Sequence, residues 1–533
     1  MINRWCSQYY FGTLTDDPWL PAIIKFAPLF SPTYCQECMQ VYVSHFPPFP
    51  LRMSTLSDPT EVDAIDTIND LSKGVPSHAR DNLERRLLRK LDLRMSILLI
   101  LQTLNLIDRS NISNARLQGF EKDLHLHGQQ YATTLSILYV GYIVMQVPGN
   151  MFLHWLEKPS IILPCCMIAW GTISVLTGIT TNYTGIVVAR FFLGFAEAPF
   201  FPGIIFLVSK WYKRDELALR IALVSSGGFL SSAFGSLLAS AILNGMQDKL
   251  GQAAWRWLFF IEGGMTILVA ICTIFILPNF PHNTRWITPE ERALAISRLA
   301  NDGYGKADEL GKQTTMQGLQ DAVSDWKVWW FAIAAMFQIV GQSFFAYFPT
   351  LCATLGYDTT VTLLLCAPPW VLAGIVAFTL TWYSDKKHRR YKCFVVTNAF
   401  GALAFLMSIS TMNKAARYIS LFLMAQSGIG YLVLLGWISN TFAREPAKRA
   451  VAIALMHSMG QIGNVIGSYV WPSNWGPTYR YSYAICIAAL GVSTGMFGGM
   501  YLYLKHLNGQ IERNERDVKD ITEIREISFK YLV

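Results

Sequence analysis

Apolar stretches close to the length of a bilayer core recur along this chain from Met95 to Leu504, and no soluble core takes in so many. They fall near 95–115, 129–152, 162–181, 185–207, 218–242 and 256–277, then near 326–350, 359–383, 391–411, 417–440, 449–470 and 480–504. The pattern is six runs, a long polar gap, and six more. Composition agrees: 52% of residues are hydrophobic and only 15% are charged, where soluble domains carry about 25% charge. The expected fold is an all-α membrane protein with twelve transmembrane helices in two six-helix bundles. The net charge of +8 is spread over short Lys/Arg clusters between apolar runs, which argues against a nucleic-acid face.

The polar segments divide the rest. Residues 1–94 form an N-terminal tail, 95–277 and 326–504 the two bundles, 278–325 a linker, and 505–533 a C-terminal tail. In the linker, Thr288-Pro289-Glu290-Glu291 reads as a capping box with proline at the first helical position, opening a polar helix to about Ala300. Residues 1–52 have neither a signal-peptide pattern nor a helical period. Met53 is the expected start of the mature protein, with the upstream stretch a gene-model artefact. Six of the ten cysteines lie inside apolar spans, and Cys35-x-x-Cys38 has no second pair to complete a zinc site. No metal, cofactor or disulfide framework is expected.

Orientation follows from basic residues close to span ends, which stay on the cytosolic side. Lys210, Lys213 and Arg214 follow span four; Lys386, Lys387, Arg389 and Arg390 follow span eight; Arg444, Lys448 and Arg449 follow span ten. Both termini are therefore expected in the cytosol, the plasma membrane being the expected location and a monomer the expected state.

Charges inside the spans carry the chemistry. The uncharged run Met95 to Ile107 is about 13 residues, short of the roughly 20 that a crossing needs, so span one must continue through Asp108-Arg109. Six residues inward from Ala115 places Arg109 about 9 Å deep, and the opposite run of span four places Arg190 similarly. Glu197, seven residues on from Arg190, returns to the same face about 10 Å lower. Each buried charge costs about 2.5–3.5 kcal/mol on insertion scales, so the four need partners or a watery cavity. Two readings stay open from the residues alone. They are structural ion pairs, or Arg109 and Arg190 bind a carboxylate with bidentate geometry while Asp108 and Glu197 carry protons.

At these residues the sequence resembles a known family. Leu106-Ile107-Asp108-Arg109-Ser110-Asn111-Ile112 with Asn114-Ala115 resembles the first-helix signature of the anion:cation symporter branch of the major facilitator superfamily, and Arg190-Phe191-Phe192-Leu193-Gly194 with Glu197-Ala198 its fourth helix. Trp211-Tyr212-Lys213-Arg214 and Trp255-Arg256-Trp257-Leu258-Phe259 with Glu262-Gly263 are similar to fungal allantoate, nicotinate and pantothenate permeases. The resemblance runs from about Leu83 to the C-terminus. It implies secondary active transport of a small organic anion, coupled to protons and directed to uptake. Asp385, Lys386, Arg389 and Arg390 match the family's cytosolic gate motif, whereas the counterpart after span two, Gly149 to Lys158, is degenerate.

The second bundle offers uncharged polar candidates. Gln426 on span ten and His457 on span eleven are assigned to substrate, with Tyr139 and Tyr142 of span two. His457, Gln461 and Asn464 recur at helical spacing on one face, and His457 stands where the family more often has Asn. A nucleotide-driven pump or a membrane enzyme would need a phosphate loop, a metal-ligand pair or a nucleophile elbow, and none of these motifs is present. Two other functions remain beside uptake: export of a secondary metabolite from a biosynthetic cluster, and a nutrient sensor that does not transport.

Overall fold

The computed structural model describes residues 77–519 apart from 157, 282–283, 285, 302–314, 388 and 443–445. The expectations for residues 1–52 and for Cys35-x-x-Cys38 lie outside the described residues. Among the described residues there is no strand, and helices occupy each of the twelve expected spans. Nine of them are long and apolar enough to cross a membrane by length and composition. Spans one, two and eleven are not among the nine. Asn105, Asp108, Arg109, Asn111 and Asn114 lower the hydropathy of span one, and Lys448, Arg449, His457, Gln461 and Asn464 that of span eleven. A polar spanning helix is tolerated where its polar side chains face protein rather than lipid.

In the first bundle, span one is Ile97–Ala115, span two Gln130–Leu156, span three Pro159–Thr177 and span six Ala254–Ile276. Span four is broken into Tyr183–Glu197 and Phe200–Ser209. Pro199 lies in the break, where its missing N–H leaves the Phe195 carbonyl without its helical donor. Span five comprises Arg214–Ser225 and Gly227–Gly245. In the second bundle, span seven (Trp326–Gly341) passes through a 3₁₀ turn at Ser343–Tyr347 into Phe348–Ala353. Spans eight (Thr359–Lys387), nine (Arg390–Ser410), ten (Lys414–Ser427 and Ile429–Thr441) and eleven (Pro446–Ser468) follow. Span twelve, Arg480–Lys519, runs well past the expected end at Leu504.

Spans two and four are pressed together backbone to backbone. A Cβ on Gly194 would stand 1.9 Å from the Leu138 carbonyl oxygen, and one on Gly141 would stand 2.2 Å from that of Phe191. Only glycine fits either position, and span two here brings Tyr139 near Arg190 and Glu197, and Tyr142 near Glu197. Between the bundles, span five packs on span eight and span two on span eleven. On the face away from the linker they are also hydrogen-bonded: Ser113 Oγ to the Ala346 carbonyl at 2.6 Å, Arg116 Nη2 to Ser473 Oγ at 2.9 Å, and Thr133 and Ser136 to the Tyr469 hydroxyl at 3.1 Å each.

The linker contains the expected helix at Pro289–Asn301 and a further one at Thr315–Ser324. Its capping box is closed both ways: the Glu291 N–H donates to Thr288 Oγ1 at 3.2 Å and the Thr288 N–H to Glu291 Oε2 at 3.1 Å. The first linker helix docks on the amphipathic helix Ser77–Met95. Buried Arg298 donates to Glu84 Oε1 at 2.7 Å and to Glu216 Oε1 at 2.6 Å, Lys213 reaches Glu84 at 3.0 Å, and Lys90 reaches Glu291 at 2.6 Å.

Burial pushes the Glu84 carboxyl up, but the Lys213 hydrogen bond and the charges of Arg298 and Lys213 outweigh it and hold it below its ordinary value of 4.5. A depressed folded value means stabilisation that is complete above the unfolded value and lost as pH falls through the folded one. Amide exchange in Ser77–Met95 and Pro289–Asn301, corrected for intrinsic rates, is therefore expected to match at pH 8 and pH 6 and to rise only below about 4.5. Arg298→Ala should raise it at every pH. The expected local loss is about 1–3 kcal/mol, less than for a fully buried pair because both carboxylates are partly solvated.

Candidate functional site

Where span one faces span four, Arg109 Nε donates to Glu197 Oε2 at 2.5 Å. The Glu197 side chain is fully buried, while that of Arg109 keeps 19% of its surface exposed. The Arg109 guanidinium also lies over the Tyr142 ring, 4.9 Å from its centre, a cation–π contact that offsets part of its desolvation. Tyr139 stands among Arg109, Arg190 and Glu197.

Arg190 is buried in a different state. Its guanidinium lies 6.0 Å from the Phe259 ring centre, and neither Nε nor Nη2 has a hydrogen-bond partner. Glu197 Oε1 and Asn105 Nδ2 are likewise unpartnered. A buried guanidinium with open donors is costly unless an anion meets them. The bundle therefore holds one arginine already paired and one with unused donors.

Span eleven completes the cluster from the second bundle. The His457 ring stacks on Phe201 with centres 6.2 Å apart and meets the Tyr142 ring edge-on at 6.2 Å. Its Nδ1 is 3.4 Å from the Tyr431 hydroxyl and its Nε2 is 3.1 Å from Gln461 Nε2, and Asn464 donates to Gln461 Oε1 at 3.1 Å. Beside it, Ser458 Oγ donates to Gln146 Oε1 at 3.0 Å across the bundle interface. His457 is thus held by hydrogen bonds within the second bundle while its ring faces the first.

The expected residues divide accordingly. Arg109, Arg190, Glu197, Tyr139, Tyr142 and His457 come together. Asp108 does not join them: it is within electrostatic reach of Glu197 and Arg190, but its oxygens accept from Ser174 and Thr266, on another side of span one from Arg109. Consecutive residues of a helix point about 100° apart, so Asp108 and Arg109 cannot both face span four. Gln426 is buried and donates to the Phe422 carbonyl of its own helix at 3.2 Å, while its Oε1 has no hydrogen-bond partner. Gln338 pairs with Asn398 and Gln342 with the Ser427 carbonyl, which are helix-to-helix bonds of the second bundle. Of the residues expected to form a gate motif, Lys386 is exposed over the Trp382 ring at 4.8 Å and Arg389 is exposed, while the Asp385 side chain lies outside what is described.

Sequence reading missed Phe201, Tyr431 and Gln146. All three are ordinary residues in apolar runs; the approach of the bundles reveals Phe201 and Gln146, and the packing of span ten on span eleven reveals Tyr431. It also left Glu262 inside a quoted motif without a role, although an acid in an apolar span is itself a signal.

The family model described as Major Facilitator Superfamily matches residues 98–468, which contain every member of this cluster. The chain belongs to the Major Facilitator Superfamily. It is a multi-pass membrane transporter rather than an enzyme. Similar proteins include the MFS-type transporter cnsO of Penicillium expansum, 29% identical over 87% of this chain and 92% of that one. The MFS transporter prlL of Fungal sp. (strain NRRL 50135) is 32% identical over 67% and 74% of the two chains. The major facilitator-type transporter hxnP of Emericella nidulans is 25% identical over 83% and 90%. Among solved structures, a bacterial homolog of the human lysosomal transporter Spinster in an inward-facing, unoccupied conformation aligns with TM-score 0.56 and 16% identity, over 76% of this chain and 94% of that one. The proton:xylose symporter XylE bound to 6-bromo-6-deoxy-D-glucose aligns with TM-score 0.55 and 13% identity, over 75% and 95%. Both support the fold.

His457→Asn should leave folding intact and alter recognition. The ring contacts to Phe201 and Tyr142 and about one net hydrogen bond are lost; at about 1 kcal/mol for that bond, KM should rise about fivefold with little change in maximal rate. Initial rates over a substrate series check this.

Proposed function

We propose that the chain takes up a small organic anion, a carboxylate such as nicotinate, pantothenate or allantoate, together with protons. The observation that carries this reading is the pairing of Arg109 with Glu197 beside an Arg190 whose Nε and Nη2 donors are open. A carboxylate offers two acceptors to a guanidinium fork, so Arg190 is the first anchor. With Glu197 ionised, Arg109 is engaged. A proton on Glu197 weakens that pair and turns Arg109 toward the substrate, so that anion and proton are bound together through one side chain. The Tyr142, Phe201 and His457 rings are the walls against which a planar substrate stacks.

The motifs of spans one and four support placing the chain in the anion:cation symporter branch, with Asp385, Lys386, Arg389 and Arg390 as its gate motif. The basic loops support cytosolic termini, and with uptake as the function the plasma membrane is the proposed location, the protein acting as a monomer. The bundles rock about the cluster, opening on the linker face while the bonds of Arg116 and Tyr469 hold the other face shut.

A growth and uptake screen tests this reading. A deletion strain, with and without the restored protein, is offered nicotinate, pantothenate, biotin, allantoate and small dicarboxylates. Restored, pH-dependent uptake of one of them supports the proposal. Accelerated loss of a preloaded compound would favour export of a metabolite, and binding without flux in sealed vesicles a sensor.

A further inference from the structure

Away from the Arg109–Glu197 pair, the first bundle encloses a second group of polar side chains where spans one, three and six meet. Asp108, 1% exposed, accepts from Ser174 Oγ at 3.2 Å and from Thr266 Oγ1 at 3.0 Å. One helical turn along span six from Thr266 is Glu262, also 1% exposed, and neither of its carboxyl oxygens has a hydrogen-bond partner. Asn111, about one turn along span one from Asp108, is 0% exposed, and both atoms of its amide are unpartnered. Asp108 and Asn111 are the polar groups that act on Glu262. Spans three and six touch beside it, a Cβ on Gly263 standing 2.9 Å from the Gly171 carbonyl oxygen.

Few other charges face this group. Span four brings Arg190 and Glu197 within electrostatic reach of Asp108, and span five has no titratable side chain along Gly227–Gly245. On span three Ser174 and Trp170 face it, and the thiols of Cys165 and Cys166 lie about two turns or more from Ser174. Two neighbouring buried carboxylates cannot both be ionised at modest cost, and one without donors is the costlier to ionise. Asn111 suits either state: its N–H can donate to a carboxylate, and its donor and acceptor together can match the acceptor and donor of a protonated carboxyl.

We propose that Glu262, with Asp108 and Asn111, forms a proton-binding site inside the first bundle, separate from the Arg109–Glu197 pair. A proton taken from water forms the O–H bond on Glu262, which then donates to Asn111 Oδ1 or to Asp108; its return to water restores the carboxylate. Any part of this site in driving transport rests on the proton-coupled reading, but its occupancy by a proton does not.

Infrared spectra of the purified full-length protein in lipid, compared between H₂O and D₂O, test this without a substrate. The wild type should show a carbonyl stretch of a protonated carboxyl that shifts on deuteration, and Glu262→Gln should lose that component while Glu197→Gln keeps it. If Glu262→Gln fails to fold, Asp108→Asn provides the second readout, since removing the neighbouring acid should shift the band. An unchanged spectrum in Glu262→Gln, or an unmoved band in Asp108→Asn, overturns the proposal. So does a wild type that lacks the band and is stabilised by sodium chloride only when Glu262 is present, which would mark a metal-cation site. A failed carboxylate screen leaves this result standing, and a failed band leaves the screen standing.

Discussion

Arg190→Lys is expected to lower carboxylate uptake about 10- to 100-fold with the protein still folded and inserted. Lysine keeps the charge but replaces a planar fork of five N–H donors with a compact ammonium. The loss corresponds to about 1.5–3 kcal/mol of charge-assisted hydrogen bonding to the substrate. Folding should survive because the Nε and Nη2 of Arg190 make no protein hydrogen bond that lysine would forfeit. The same substitution at Arg109 would be harder to read, since that side chain also holds Glu197 at 2.5 Å. Uptake kinetics with surface-expression controls check the prediction, and wild-type rates in Arg190→Lys would remove the carboxylate clamp from the account.

Glu197→Gln has the second large effect, of another kind. Glutamine fills the same volume and can still accept from Arg109, but it cannot gain or lose a proton. Accumulation against a gradient driven by pH should vanish, while exchange of labelled for unlabelled substrate across the same membrane continues. The charged partner of Arg109 is gone, so its pairing is weak at every pH, and exchange should lose its pH dependence. Accumulation that still followed the pH gradient would assign coupling elsewhere.

Much of this was legible before any coordinates, for physical reasons. Bilayer thickness fixes the length of an apolar run, so spans two to twelve could be read directly. Span one was found through Asp108 and Arg109, because an apolar run too short to cross must continue through its charges. The capping box at Thr288 is a local motif and formed as written. What sequence could not supply was rotation about the helix axis and the approach of distant spans. Asp108 and Arg109 are adjacent in the chain, yet one points to spans three and six and the other to Glu197. Phe201 meets His457 only because the two bundles close on each other, and Tyr431 only because spans ten and eleven pack together within the second. Glu262 was visible as an acid in an apolar run, but its neighbours Asn111 and Asp108 come from span one.

The most direct test of anion movement with protons uses purified protein in sealed vesicles, with a pH-reporting dye inside and the carboxylate returned by the uptake screen added outside. The lumen is expected to acidify in step with carboxylate entry, an imposed inward proton gradient to drive accumulation, and Glu197→Gln to abolish both. Carboxylate entry with no accompanying proton movement in the wild type would contradict it.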